Sequence, residues 1–478
     1  MIMNLPVFRA GRVVLPVVLL CMVASAQEKS TPSRPDIQKG QVMSSVHSFA
    51  KPEQSYAFYI PTNYTPEKRW PIIYAFDPGA KGTRPLELMK EAAETYGYLI
   101  AGSNNSRNGS WEIEHAAAQA MWNDTHEWLS IDDRRVYFAG FSGGARLSSQ
   151  LAQLCNCAYG VFLSGAAFPP FLPPSRKTLF AVFSTAGMTD FNYGELTDLD
   201  AQLETLRIRH FLQRFDGGHS WAPVELWRQA MAWSALLEMK DSLREMDKNF
   251  VSAELARSSG RLRKRDETGE VYFAWGETRS TIAAFEGLAD TSALKERFAA
   301  LDRNPAIRSG ARQEKADIER QHALEAPILS IIQSLGDAGG DKASMVADAS
   351  NRIRGLVEDA RREKRPESRR ILERALGNIF VYAMETGSPL LDKGEARPAA
   401  PYFELAAIAH PEWSWPHFAL AKCHAITGDK KAALRDLKAA REDGATATEV
   451  ADFVKENPQL ALVAAMPEYQ KLVASPSP

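Results

Sequence analysis

The stretch Arg134-Arg-Val-Tyr-Phe-Ala-Gly-Phe-Ser142-Gly-Gly-Ala-Arg-Leu-Ser-Ser-Gln-Leu-Ala152 decides the fold, because it predicts a buried strand, a tight glycine turn and a helix. Val136 to Ala139 form a short apolar run, and the apolar residues at 145, 147, 151 and 154 recur close to the helical period. Ser142 lies at the tip of the turn in a Gly-x-Ser-x-Gly pattern, where glycines let neighbouring backbone approach closely. The pattern favours a serine nucleophile at the carboxyl edge of a sheet over a plain tight turn.

The composition describes a soluble globular protein. The chain has 478 residues, of which 45% are hydrophobic and 24% are charged, and its formal net charge is -2. This length predicts two or three domains. A near-neutral chain has no strongly basic field to hold phosphates, so we expect no nucleic-acid partner.

The N-terminus has the pattern of an export signal. Arg9 and Arg12 precede an apolar run over 13–23, and Ala24-Ser25-Ala26 forms a cleavage site. We therefore predict a signal peptide over 1–26 and an exported protein, periplasmic or secreted after cleavage.

The mature chain is expected to begin with a flexible polar leader over 27–45. The apolar run of the signal is too short to span a bilayer comfortably, so we expect no stable membrane insertion after cleavage. Leu20 precedes Cys21 where a lipid-attachment site has a small residue, and the sequence therefore disfavours a lipid anchor at Cys21.

From Ser55 onward, short apolar runs alternate with helical patterns. The predicted strands are 56–60, 71–76, 98–101, 136–141, 160–164, 179–184 and 208–215. The predicted helices between and after them are 85–96, 113–129, 146–155, 198–206 and 223–246. Such alternation predicts an α/β domain over 46–246, a mostly parallel sheet with helices on both faces.

A serine hydroxyl needs a base within hydrogen-bond reach, and that base needs an acid to orient it. Asp190 follows the predicted strand 179–184, and His219 follows the strand that ends near Phe215. The order Ser142, Asp190, His219 is the order that an α/β-hydrolase sheet requires.

Residues of about 50 to 240 resemble the α/β-hydrolase esterases that include polyhydroxybutyrate depolymerases and feruloyl esterases. The resemblance is carried by Gly-Phe-Ser-Gly-Gly at 140–144, Gly-Met-Thr-Asp at 187–190 and Gly-Gly-His-Ser-Trp at 217–221. It implies Ser142 as nucleophile, Asp190 as acid and His219 as base, with Trp221 as a wall of the substrate pocket. Trp221 as plain core packing stays open.

The acid and the base each have alternatives in the sequence. They are Asp198, Asp200 and Glu195 for the acid, and His210, His115 and His126 for the base. The other acids lie further into the next predicted helix, and the other histidines lie inside a strand or on a helix. The sequence therefore favours Asp190 and His219.

The oxyanion of the tetrahedral intermediate needs two donors. We expect one from the amide of Gly143 and the other from Gly79 or Ala80, in the loop after the strand 71–76. Esterases of this kind commonly carry His-Gly in that loop, where this chain has Asp77-Pro78-Gly79. Asp77 either caps the turn or faces the pocket, where it would favour cationic substrates.

The loop Asn104 to Ser110 is expected to border the same mouth, with Trp111 as an aromatic wall. The sequence has no H-E-x-x-H motif, no zinc-like Cys spacing and no phosphate-binding glycine loop, and we expect neither metal nor cofactor. Cys155 and Cys157 are interpreted as small buried thiols at a helix end, with a local disulfide as the alternative.

Beyond the α/β domain, the pattern is helical. Residues 247–384 predict charged amphipathic helices that connect to a domain over 385–478. There, a set of four residues recurs after 34 positions: Gly394, Ala399, Phe403 and Ala406 correspond to Gly428, Ala433, Leu437 and Ala440. This region resembles tetratricopeptide repeats, which implies a possible protein partner.

The sequence thus predicts an exported serine hydrolase that cleaves small-molecule or oligomeric carboxylic esters. Two alternatives stay open: an inert hydrolase-like scaffold whose repeat region binds a protein, and a serine peptidase that uses the same three residues.

Overall fold

The computed structural model describes residues 38–337 and 341–474. The predicted signal peptide and the first part of the predicted leader lie outside the described residues. Residues 42–45 were expected to be flexible, and here the prediction is wrong, because they belong to a strand. Val42 pairs with Tyr59 and Val46 is buried in the core, so this polar-looking segment completes one edge of the sheet.

Within the described residues, eight strands form one sheet in the order β1-β2-β4-β3-β5-β6-β7-β8. The strands are β1 (Val42–His47), β2 (Ser55–Tyr59), β3 (Trp70–Phe76), β4 (Leu99–Ser103), β5 (Ile131–Phe141), β6 (Ala158–Ser164), β7 (Ala181–Gly187) and β8 (His210–Phe215). The pairs β1/β2 and β2/β4 are antiparallel and the rest are parallel. All seven predicted strands are present.

The central strands are apolar because both faces of the sheet are covered. Along β3, Ile72 and Tyr74 pack into the core on one face, and Ile73 and Ala75 pack into the core on the other. A parallel strand buried on both faces reads as a continuous apolar run rather than an alternating one. The helices that supply this cover are α1 (Thr83–Tyr96), α2 (Trp111–Trp128), α3 (Gly143–Cys155), α4 (Tyr193–Leu206) and α5 (Val224–Lys240).

The rest of the described chain is helical. Its helices are α6 (Lys248–Glu267), α7 (Val271–Phe285), α8 (Ser292–Asp302), α9 (Pro305–Ser334), α10 (Lys342–Arg362), α11 (Pro366–Asp392), α12 (Ala396–Ala409), α13 (Trp415–Ile426), α14 (Lys430–Glu442), α15 (Ala447–Glu456), α16 (Ala461–Ala464) and α17 (Pro467–Ala474), with a 3-10 turn at Pro458–Leu460. The protein is therefore α/β-hydrolase-like in its sheet and all-helical beyond it. None of the helices within the described ranges is both long and apolar enough to cross a membrane.

Helix α11 is continuous through the predicted domain boundary between 384 and 385. The apolar residues on its buried side, among them Ile371, Ala375 and Ile379, recur at helical spacing, and the helix continues past an internal Pro389 to Asp392. The helix ends at Asp392, shortly before Gly394 and the first unit of the predicted repeat. The division into separate domains remains a prediction.

The predicted 34-residue repeat falls on similar structural positions. Gly394 and Gly428 both follow a helix with positive φ, at 80° and 86°. Of the corresponding pairs, Ala399/Ala433 and Ala406/Ala440 are fully buried, where small side chains let adjacent helices approach closely. The arrangement is compatible with tetratricopeptide packing, which stays a prediction.

Cys155 and Cys157 form a disulfide at the end of α3. The interpretation as two small buried thiols is therefore wrong. Asn156 between them has a φ of 51°, and this left-handed conformation turns the chain so that the two sulfurs can meet.

Candidate active site

Ser142 lies where β5 ends and α3 begins. Its φ of 53° and ψ of -122° are rarely adopted by residues other than glycine. The sharp turn brings Gly140 and Gly144 against neighbouring backbone carbonyls, where a Cβ on either residue would overlap. The local sequence therefore holds the serine, half-buried, in a strained turn beside the N-terminal amides of α3.

The three residues predicted from motif order come together. Ser142 Oγ lies 2.9 Å from His219 Nε2, and His219 Nδ1 lies 2.9 Å from Asp190 Oδ1. Asp190 follows β7 and is fully buried, and its Oδ1 also accepts a hydrogen bond from the backbone amide of Asn192. A buried carboxylate that accepts from Nδ1 leaves Nε2 free to take a proton from the serine.

Two aromatic rings hold the imidazole in place. The ring of Phe191 lies 4.2 Å from that of His219 between centroids, and the ring of Phe141 lies 4.6 Å away. Behind the imidazole, a Cβ on Gly165 would be crowded, since it would lie 2.9 Å from Phe141 Cε2 and 3.2 Å from His219 Cε1. Packing as well as hydrogen bonding therefore fixes the orientation of the base.

The alternative acids and bases pair elsewhere. Glu195 binds Arg146, Asp200 pairs with His210, His115 contacts Gln150, His126 contacts Tyr74, and Asp198 is exposed on α4. These contacts explain why residues of suitable chemistry lie near the sheet without forming part of the serine site.

Asp77 turns away from the pocket and caps its own loop. Its Oδ1 accepts from the amide of Gly79 at 2.8 Å, and its Oδ2 accepts from Trp221 Nε1 at 2.7 Å. Trp221 is buried in the core against Phe141 and does not line a cavity at the serine. Of the alternatives that the sequence left open, the structure thus has Asp77 as a turn cap and Trp221 as core packing, and neither residue is in the predicted substrate-binding role.

The same loop does not present the expected oxyanion donors. The Gly79 amide is occupied by the Asp77 carboxylate, and the Ala80 amide donates to the Asp77 carbonyl at 3.1 Å. By contrast, Gly143 is the first residue of α3, where an amide has no acceptor within the helix. In this arrangement Gly143 is available to an oxyanion, whereas Gly79 and Ala80 are not.

The side chain of Asn108 lies directly over Gly143. A Cβ at position 143 would overlap the Asn108 carboxamide, which places this polar group beside the free amide. The backbone of the same loop is tied to the Asp77 loop, because the amide of Asn108 donates to Pro78 O at 2.9 Å. The loop was predicted to border the mouth, but nothing in its sequence singled out Asn108.

A cavity of about 400 Å³ opens beside Ser142. We call it the α2-side cavity; its lining residues include Trp111, Glu114, Ser142, Gly143, Arg146 and Glu385. Trp111 thus lies where the sequence predicted it. Glu114 is on the same face of α2, three residues later, and this spacing is the signal that could have found it.

Helix α11 supplies the opposite wall of the α2-side cavity with Asn378, Val381 and Tyr382. It is fixed to the sheet domain through Arg374, whose Nε donates to Met188 O at 2.8 Å in the loop before Asp190. Sequence reasoning missed this wall, because no local pattern shows that a helix more than 200 residues after the nucleophile returns to it.

A second cavity of about 930 Å³ is lined by the His219 imidazole. We call it the His219-side cavity; its lining residues include Phe141, Phe191, His219, Phe380, Trp413 and Trp415. It is the larger and the more aromatic of the two, and the helical region contributes most of its wall. The two cavities share Phe191 and Val381 in their walls, and Ser142 lines the first cavity whereas His219 lines the second.

The charge of the α2-side cavity is dominated by carboxylates. Glu114 is 4% exposed, and burial raises the pKa of its carboxyl to about 7. Partial desolvation also raises the pKa of Glu385 at the exposed rim, against the lowering effect of His219 and Arg146. Arg146 is itself held by both oxygens of Glu195, at 2.7 and 2.8 Å.

The described residues contain no group of three or more His, Cys, Asp or Glu side chains that could hold a metal ion. The geometry of Ser142 and His219 is that of a base-activated serine beside a helix N-terminus.

In structure, the chain is distantly similar to serine esterases and hydrolases. No protein-family model matches it, and no curated protein matches it. Solved structures do. They include the fluorophosphonate-binding serine hydrolase FphF of Staphylococcus aureus, with 12% identity over 38% of this chain and 92% of that chain at a TM-score of 0.33.

Two esterases are similar to the same extent. The esterase of Pyrobaculum calidifontis is 13% identical over 42% of this chain and 86% of its own, at a TM-score of 0.33. The esterase LipW of Mycobacterium marinum is 16% identical over 41% of this chain and 82% of its own, at a TM-score of 0.32. At these scores the likeness carries no argument about activity or substrate.

Proposed function

We propose that the protein is a serine hydrolase that cleaves carboxylic esters through an acyl-enzyme on Ser142. The observation that carries the proposal is the continuous chain of contacts from Ser142 Oγ through His219 to buried Asp190, with 2.9 Å at each step. A merely structural serine would not require the strained backbone of Ser142 or an imidazole clamped by two rings.

In the acylation step, Ser142 Oγ attacks the ester carbonyl carbon while its proton passes to His219 Nε2. Asp190 stabilises the imidazolium that forms. The tetrahedral oxyanion accepts a hydrogen bond from the Gly143 amide and one from the Asn108 carboxamide. A rotation of that carboxamide by about 180° exchanges its oxygen and nitrogen, so it can present its N–H groups to an anion. The C–O bond to the alcohol then breaks, and His219 protonates the leaving oxygen.

In the deacylation step, a water gives a proton to His219 Nε2 and attacks the acyl carbon. The second tetrahedral intermediate collapses to the free acid, and the proton returns to Ser142 Oγ. The same two donors serve both steps, because the oxyanion occupies the same position.

A fluorophosphonate probe and short-chain aryl esters test this proposal. The wild-type protein should be labelled and should hydrolyse the esters, and Ser142→Ala should lose both reactions. Gln119→Ala on the exposed surface of α2 is a matched control that should keep them. An unlabelled, inactive wild type, or a Ser142→Ala variant with full activity, would overturn the proposal and favour the scaffold alternative.

Export and a protein partner also remain proposals. The signal pattern at 1–26 supports export, and the repeat over about 385–444 supports a partner that binds the helical region. Because α11 forms a wall of the α2-side cavity, such a partner would bind a region that also shapes the active site. A partner that bound there should change KM for the ester as well as co-purify with the full chain.

A further inference from the structure

Glu114 is a buried carboxylate that lacks a counter-ion. It is 4% exposed, it lines the α2-side cavity, and its side chain has no hydrogen-bond or ionic partner among the residues that the structure describes. Burying a charge without a partner is costly, and the raised pKa of about 7 reflects that cost. A positive charge placed in the cavity would supply the missing partner.

None of the other charged side chains that line the cavity serves as a counter-ion for Glu114. Arg146 is committed to Glu195 through two short contacts, so it is not available to Glu114. Glu385 adds a second carboxylate at the rim. Trp111 contributes an aromatic ring to the lining, a group with which cations interact favourably. The cavity therefore combines one buried anion, one rim anion and one aromatic ring.

The geometry of the reaction assigns this cavity to one side of the ester. His219 must protonate the leaving oxygen, so the alcohol lies towards the His219-side cavity, which His219 lines and Ser142 does not. The α2-side cavity is lined by Ser142 and Gly143 and not by His219, which leaves it to the acyl group.

We propose that the α2-side cavity binds acyl groups that carry a positively charged nitrogen, with Glu114 as the counter-ion. This inference rests on the proposed hydrolase function. It narrows the substrate class to esters of amino or quaternary-ammonium acids, with the large aromatic His219-side cavity left for the alcohol.

Two isosteric aryl esters test the inference: the 4-(trimethylammonio)butanoate and the neutral 5,5-dimethylhexanoate. The cation is permanent, so only the protein titrates. Replacing Glu114 by Gln should reduce the ratio of kcat/KM for the cationic ester to kcat/KM for the neutral ester by roughly tenfold or more. The reason is that the cation of the ester loses its buried counter-ion. Glu112→Gln changes an exposed carboxylate on the same helix and should leave the ratio unchanged. An unchanged ratio in Glu114→Gln would overturn the inference while leaving the hydrolase proposal intact.

A binding measurement separates the two proposals if hydrolysis fails. In the Ser142→Ala background, calorimetry with the corresponding amides, 4-(trimethylammonio)butanamide and 5,5-dimethylhexanamide, reports recognition without chemistry. The additional change Glu114→Gln should weaken only the cationic amide, by about tenfold. Equal weakening of both amides, or of neither, would contradict a counter-ion role for Glu114.

Discussion

Asp77 either caps its own loop or forms an acidic wall of the pocket. The hydrogen bond from Trp221 to Asp77 decides between these two positions of the carboxylate. Asp77 is 7% exposed and accepts from three donors, Trp221 Nε1 at 2.7 Å, the Gly79 amide at 2.8 Å and, more weakly, the Lys81 amide at 3.4 Å. A hydrogen bond to a charged group contributes about 1.5–3 kcal/mol, so loss of the two short ones in Asp77→Ala should lower the free energy of unfolding by about 3–6 kcal/mol.

A double-mutant cycle isolates the contact between these two side chains. Trp221→Phe removes the indole donor while it keeps an aromatic ring in the core. Combined with Asp77→Ala, it should give a coupling energy of about 1.5–3 kcal/mol, measured by urea unfolding followed by tryptophan fluorescence. The ratio of cationic to neutral ester hydrolysis should not change in Asp77→Asn. A coupling energy below about 0.5 kcal/mol, or a changed ratio, would refute the assignment of Asp77 to the loop rather than the pocket.

Three further predictions follow from the site and the N-terminus. Asn108→Ala should lower kcat about 10²-fold with little change in KM in steady-state assays, because an oxyanion donor acts in the transition state. The folded pKa of Glu114, about 7, exceeds its usual 4.5, so its protonation stabilises the fold fully below pH 4.5 and this contribution is lost as the pH rises through 7. Glu114→Gln should therefore raise Tm more at pH 8 than at pH 5. The other charged groups of the cavity, Arg146 and Glu385, are the same in the wild type and the variant, so the difference between the two proteins reports Glu114. N-terminal sequencing of the exported protein should begin at Gln27, and an uncleaved N-terminus would contradict the predicted signal.

The sheet was predictable because its signals are local. Each buried strand is a short apolar run between turn residues, and the helices between them follow helical periodicity. The strand β1 was missed because only Val46 in it is fully buried, and an edge strand with exposed serines resembles a polar leader. Its position depends on pairing with β2, which no local pattern reports.

Ser142, Asp190 and His219 were predictable because each follows a strand of the sheet, and the order of these strands along the chain gives the order of the three motifs. The loop opposite the serine was not. Whether Asp77 points into the pocket or back into its own turn depends on where the Trp221 indole lies, more than 140 residues later. The wall that α11 gives to the α2-side cavity and the contact of Asn108 with Gly143 are likewise long-range consequences of packing.

The reaction of Ser142 with a fluorophosphonate, compared between wild type and Ser142→Ala at matched concentrations, tests the central proposal most directly. The geometry of Ser142, His219 and Asp190 predicts stoichiometric labelling of the wild type, loss of labelling in Ser142→Ala, and strongly slowed labelling in His219→Ala. A folded wild type that remains unlabelled, or a label found on a residue other than Ser142, would contradict it.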